Sequence, residues 1–146
     1  MSKIISKEYY LKYLKKKILK KKIILCHGVF DLLHIGHIKY LEDSKKRGDI
    51  LIVSITEDKY VNKGIGRPYF SIKQRMESIA ALTCVDFVIE SSHPTAINII
   101  KLIKPNLYIK GSDYKNNKND ITGEILREQK EVEMNGGKIF FVNTPM

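Results

Sequence analysis

Residues 50–55, Ile-Leu-Ile-Val-Ser-Ile, form a near-continuous apolar run rich in β-branched side chains. A strand of that kind is covered on both faces, as in a parallel sheet with helices packed above and below it. Shorter runs at 23–25, 87–89, 107–109 and 138–142 read as four more strands. Helical patterns lie between them. One begins near His37, with Ile38 and Leu41 following. Another is opened by Ser71, whose spacing to Gln74 is that of a capping box. A third starts at Pro94, turns Ile97, Ile100 and Ile103 inward and stops at Pro105. The last is charged, runs from about Gly123 to Met134 and is closed by Gly136-Gly137. Alternation with short connections predicts an α/β fold: a five-stranded parallel sheet with helices on both faces. Residues 6–20 form a leading amphipathic helix, with Tyr10, Leu11, Leu14 and Ile18 on one side. Lys20-Lys21-Lys22 ends it. The 146 residues carry no repeat, low-complexity tract or linker, so they read as one domain with a basic leader over 1–22.

Sheets of this class bind ligands beyond the carboxyl ends of their strands, where strand order reverses. The first long strand delivers Gly28-Val29-Phe30-Asp31 and then His34-Ile35-Gly36-His37, so three of the chain's four histidines (His27, His34, His37) cluster beside one acid. A strand that stops at a glycine and hands over to a helix points unpaired N–H groups and a positive dipole end at one spot, which suits a phosphate. His34 and His37 are three apart, so on a helical turn they face the same way. Two satisfied surface histidines beside a helix cap are the plain alternative. Lys63 and Arg67 lie in a glycine-containing loop over the cleft. Arg75, one turn into the capped helix, serves either the site or a neighbour such as Glu77. Lys110-Gly111-Ser112-Asp113 ends the fourth predicted strand on the same side.

The formal charge is +10, and 22 of the 26 basic residues are lysine, which favours an anionic partner. A solvated lysine face is the reading of the leading helix. Binding RNA or acidic lipid is the sharper alternative for it, but it carries no arginine, and contact with neither nucleic acid nor membrane is expected. Asp43, Glu57 and Asp58 lack metal-ligand spacing, so no resident metal site is expected. Cys26 and Cys84 read as reduced structural thiols of a cytoplasmic protein, and no stretch is apolar enough for a membrane span or a signal-peptide core.

The segment from Gly28 to His37 resembles the signature of the HxGH-motif nucleotidyltransferase superfamily, and the fold this implies is Rossmann-like. Within the superfamily the chain looks most like the adenylyltransferase domain of bacterial heptose 1-phosphate enzymes, over about Ile18 to Val142. The likeness takes in Lys63-Gly64, Gly66-Arg67-Pro68, Gln74-Arg75-Met76, Lys110-Gly111 with Asp113-Tyr114, and Gly136-Gly137. Ser112 departs from it, standing where that branch has a second glycine. The branch's Ser/Thr-rich motif after the last strand is also missing, since the chain ends at Thr144-Pro145-Met146. The expectation is a module of a longer polypeptide, fused to or working with a sugar kinase.

The resemblance implies transfer of a nucleotidyl group, AMP from ATP, to a sugar phosphate such as a heptose 1-phosphate, releasing pyrophosphate and supplying nucleotide sugar to surface polysaccharide. It assigns His34 and His37 to the transition-state oxygens, and Gly28, Val29, Phe30 and Gly36 to the triphosphate. Asp31 would orient the loop or act on the acceptor or Mg²⁺. Lys63 and Arg75 would neutralise the acceptor phosphate and leaving group, while Lys110, Gly111 and Asp113 line the nucleoside. Mg²⁺ would arrive on the triphosphate. A homodimer is the oligomer that related enzymes suggest. Two other readings stand beside it: a cytidylyltransferase acting on glycerol 3-phosphate or a similar alcohol phosphate, and a non-catalytic nucleotide- or RNA-binding module.

Overall fold

The computed structural model describes residues 2–61, 66–111 and 124–142. They form one parallel sheet whose strands are β1 (Ile4–Ile5), β2 (Ile23–Gly28), β3 (Ile50–Thr56), β4 (Phe87–Ser91), β5 (Leu107–Gly111) and β6 (Lys138–Val142), in the order β1-β4-β3-β2-β5-β6. From β2 the chain winds outward through β3 and β4, then returns to β5 on the other side. The switch point therefore lies between β2 and β5. Six strands are present where five are expected. The extra one is β1, two residues that pair Ile4 with Val88 and Ile5 with Ile89. A strand that short has no periodicity of its own, and only the open edge of β4 makes it one.

Successive residues of the central strands enter opposite cores. Leu25, Ile52, Ile89 and Tyr108 meet Tyr10, Leu14 and Ile18 of the leading helix and Ile99, Ile100 and Ile103 of α5 (Ile97–Ile103). On the other side Ile24, Cys26, Val53 and Val88 meet Tyr40 and Leu41 of α3 (Ile35–Lys45) and Ile79 of α4 (Ile72–Ala80). This two-sided burial is what the unbroken apolar run in β3 requires. Free Cys26 lies in the second core, where burial pushes its thiol up to about 11 and keeps it inert.

The leading helix is continuous but uneven: α1 (Lys7–Tyr9) runs through a π turn (Tyr10–Leu14) into α2 (Lys15–Lys17). Leu11, expected inward, is 45% exposed, because the wider turn rotates it off the face carrying Tyr10 and Leu14. The predicted capping box at Ser71 and Gln74 is present at the start of α4. α5 begins three residues later than Pro94 suggests, so Ile99 takes the inward place given to Ile97. The Ala96 N–H at its start donates to Glu128 of α6 (Glu124–Met134). Residues 94–96 thereby become a loop over the strand ends.

The two glycines after α6 act differently. Gly136 has φ +85, a left-handed turn with open space around it, whereas a Cβ on Gly137 would lie 2.2 Å from the Pro105 carbonyl oxygen. Gly136→Ala should cost about 1 kcal/mol of backbone strain. Gly137→Ala should cost at least about 3 kcal/mol, since β6 must move off the α5–β5 turn. Denaturant unfolding of the two variants tests that ranking.

Candidate active site

The cleft opens at the switch point. It has a volume of about 350 Å³, within the range of small-molecule sites. The end of β2 (His27, Gly28, Val29, Phe30), the end of β5 (Lys110, Gly111) and His37 line it, along with the 94–96 loop and α6. Of the residues expected in the site, Gly28, Val29, Phe30, His37, Lys110 and Gly111 thus come together there. Lys63 and Asp113 lie outside the described residues.

The histidine pair is held by the backbone it caps. His34 is the N-cap of α3, and its Nδ1 accepts from the Gly36 N–H at 3.1 Å. His37 Nδ1 in turn accepts from the His34 N–H at 3.3 Å. The two rings lie 3.8 Å apart, tilted by 30°, with His34 on the solvent side. The sequence predicts unpaired N–H groups at this helix start, but the Gly36 N–H is taken by an imidazole. The chemistry follows from the cap. A nitrogen that accepts from an N–H cannot itself carry hydrogen, so both neutral rings hold their proton on Nε2. Each imidazole then passes the donor character of the helix end outward through Nε2–H. The plain reading, histidines at a helix cap, and the functional one describe the same geometry.

Phe30 adopts φ +50, a strained conformation for a non-glycine residue, and packs edge-on against His37 with centroids 5.5 Å apart. A Cβ on Gly28 would meet the Phe30 ring at 2.8 Å. Glycine is needed at 28 to let that ring fold under the strand end.

Asp31 and Arg75 stand behind the cleft wall. Asp31 is buried, and its carboxylate accepts from Arg67 Nε (2.8 Å), the Tyr69 N–H (2.8 Å) and the Phe70 N–H (2.9 Å). It orients the loop, with three donors engaged by its two oxygens. Arg75 is 1% exposed, and donates to the carbonyls of Val29 (2.9 Å), Thr56 (2.8 Å) and Phe70 (3.0 Å) and to Asp58 (2.6 Å). Of the two alternatives for Arg75, the neighbour is the one realised, with Asp58 rather than Glu77 as partner.

Sequence reasoning missed several residues of the cleft. His27 bonds Ser54 Oγ through Nδ1 at 2.7 Å, and burial, then the charge of Lys110, pushes it down to about 3, so it stays neutral. Glu128 is 4% exposed and takes the Tyr108 hydroxyl at 2.8 Å, with Lys110 Nζ at 4.0 Å. Burial first, then the Glu128 carboxylate, raise Tyr108 well above its ordinary range. One signal could have found Glu128. It sits between Ile125 and Val132 at the spacing of the buried stripe of α6.

The cytidylyltransferase-like family profile matches residues 25–144, taking in every described element of this cleft. The chain belongs to that family. As a cytidylyltransferase-like domain, it is 46% identical over 115 residues to the bifunctional protein HldE of Campylobacter jejuni subsp. doylei, covering 77% of this chain and 24% of that protein. Against HldE of Helicobacter hepaticus it is 41% identical over 129 residues, with 87% and 26% covered. The chain thus spans about a quarter of the curated relatives it matches. A lipopolysaccharide core biosynthesis protein of Thermoplasma volcanium superposes with a TM-score of 0.67 at 28% identity, over 86% of this chain and 99% of that one. Pantoate-beta-alanine ligase of Francisella tularensis, at 17% identity and a TM-score of 0.70 (100% and 68% covered), shares the fold.

Burial would raise the Asp31 pKa, but the N–H groups of Phe70 and Tyr69 and the Arg67 guanidinium outweigh it and hold the carboxyl below its ordinary value. A carboxylate whose pKa is lowered by folding adds stability above its unfolded pKa of about 4, and that stability is lost as pH falls through the folded value. Asp31→Asn should therefore lower stability at neutral pH by about 2 kcal/mol and flatten the acid limb of the stability–pH curve. Urea midpoints between neutral and strongly acidic pH test this. An unchanged acid limb would contradict the assignment.

Proposed function

We propose that this domain transfers a nucleotidyl group, AMP from ATP, to a sugar phosphate of the heptose 1-phosphate kind and releases pyrophosphate. The observation that carries the reading is the capped histidine pair: His37 lines the switch-point cleft, and His34, on the solvent side, stacks against it. An acceptor phosphate oxygen attacks the α-phosphorus in line, and charge grows on the α-phosphate oxygens and the departing pyrophosphate. Fixed donors aimed at that charge lower the barrier without a covalent enzyme intermediate. His34 and His37 supply those donors. Gly28, Val29 and Phe30 give the triphosphate a close approach to backbone, and Lys110 and Gly111 border the nucleoside. Lys63 and Asp113 keep the roles the resemblance implies, at the acceptor phosphate and the nucleoside.

Arg75 is read as a positioning residue, since it grips the carbonyl of Val29 from behind rather than a ligand. Mg²⁺ is read as arriving on the triphosphate. The acceptor preference rests on the resemblance to the heptose branch and on the likeness to HldE proteins. Those relatives are bifunctional and roughly three times as long, which fits a module working beside a second activity such as a sugar kinase. Among the described residues no helix is long and apolar enough to cross a membrane. A cytoplasmic location fits a nucleotide-consuming step. The rival is a cytidylyltransferase using glycerol 3-phosphate.

Pyrophosphate release with ATP and with CTP, across sugar 1-phosphates and polyol phosphates, separates these readings. Release with ATP and a heptose or related sugar 1-phosphate is expected. Release only with CTP and glycerol 3-phosphate would overturn the acceptor and base assignment. Within the site, His34→Asn is the discriminating variant. Asparagine is a good N-cap but has no group at the Nε2 position, so folding stability should hold within about 0.5 kcal/mol. Turnover should nevertheless fall on the order of a hundred-fold or more, with little change in nucleotide affinity. Near-normal turnover would remove His34 from the mechanism.

A further inference from the structure

We propose that the leading helix is a docking face for an anionic phospholipid surface. The net charge of +10 is not spread over the molecule: residues 1–22 hold nine lysines and one glutamate, whereas residues 23–146 hold 17 basic and 15 acidic residues. A general bias toward lysine would act along the whole chain, yet beyond the leader it is nearly balanced by acids. The excess is local, and so is the field it creates.

The fold puts this charge on one surface. Tyr10, Leu14 and Ile18 are buried against the sheet, while Lys12 and Lys16 on the helix and Lys20 and Lys21 in the turn after it are exposed to solvent. Among the described residues none of these four lysines lies within ion-pair distance of an acid. Between them stand three large apolar side chains that the fold leaves outside: Leu11 at 45% exposure, Tyr13 at 56% and Leu19 at 74%. Lysines interleaved with exposed leucine and tyrosine fit the boundary of an acidic bilayer, where ammonium groups meet the headgroups and the apolar side chains enter the acyl boundary. Nucleic acid is the poorer match. The leader has no arginine, and Leu11 and Leu19 gain nothing against phosphates.

Placement fits the idea. Lys22 leads directly into β2, and its carbonyl accepts from the N–H groups of Asp49 and Ile50 at the start of β3. The densest lysines thus lie at the amino ends of the strands, and the cleft opens at their carboxyl ends. A domain lying on a membrane by this face keeps its cleft open to soluble substrates.

Co-sedimentation of the full chain with vesicles tests the proposal. Vesicles of phosphatidylcholine with about a third phosphatidylglycerol should bind it at low salt and release it near 0.5 M salt, and phosphatidylcholine alone should not bind it. Lys16→Gln, Lys20→Gln and Lys21→Gln together should lower partitioning on the order of a hundred-fold, roughly five-fold per lysine. Leu19→Ser, which keeps every charge, should lower it several-fold. All four positions are exposed, so unfolding midpoints should not move. Equal binding to both vesicle types, no binding to the acidic ones, or undiminished binding by the triple variant would each overturn the proposal. So would single-stranded RNA displacing the chain from acidic vesicles at matched salt, which would assign the face to nucleic acid.

Discussion

The buried guanidinium of Arg75 ties the ends of β2 and β3 to the segment before α4. It donates to the carbonyl of Val29 after β2, to that of Thr56 at the end of β3 and to that of Phe70 before α4, and its remaining face is neutralised by Asp58. A cation with 1% exposure is tolerated only when its donors are occupied. Here the acceptors are the loop ends that form the cleft wall, so satisfying the charge and shaping the site are one requirement. Asp31 performs the reverse service from the opposite loop, collecting N–H groups of Tyr69 and Phe70 and the side chain of Arg67. Phe70 is bonded by both residues, its carbonyl to Arg75 and its N–H to Asp31. The segment before α4 is thereby fixed against the β2–α3 turn at both polar ends of one residue.

On that frame the histidine pair gains its meaning. A helix start has N–H groups that need acceptors, and serine or aspartate would satisfy them more commonly. Using imidazole for the cap accomplishes something those residues cannot. It satisfies the helix on one nitrogen and presents a hydrogen on the other, at a fixed angle and with a fixed tautomer. The two rings stack with centroids 3.8 Å apart at the start of α3. The strained φ of Phe30 belongs to the same device, since its ring supports His37 from beneath and occupies the space that glycine leaves at 28.

Much of this was legible in the residues. The β-branched run in β3 announced a two-faced sheet, the capping box at Ser71 and Gln74 formed as read, and β6 runs from Lys138 to Val142 as expected. The cluster from Gly28 to His37 is legible as a candidate site, and the structure puts Gly28, Val29, Phe30 and His37 of it in the wall of the cleft. What escaped depended on distant partners. β1 is a strand only because β4 has an open edge, and α5 starts only at Ile97, after an Ala96 N–H that donates to Glu128 of α6, with Ile99 rather than Ile97 buried. Arg75 reads in sequence as a cation one turn into a helix, equally suited to a ligand or a neighbour. Its four acceptors come from two connections, Val29 after β2 and Thr56, Asp58 and Phe70 from the end of β3 to α4, and no local pattern encodes their convergence.

The sequence by itself determined the alternation of strands and helices, the two-sided burial of the central strands and the chemistry gathered after β2. These follow from periodicity, turn residues and side-chain type, which are local properties of the chain. Only the tertiary structure decided which nitrogen of each histidine faces outward, that Asp31 and Arg75 brace the site from behind, and that Glu128 and His27 border it. Those outcomes turn on hydrogen bonds between segments far apart in the chain. A polar group's role is set by which partner reaches it first, and that is known only once the chain has folded.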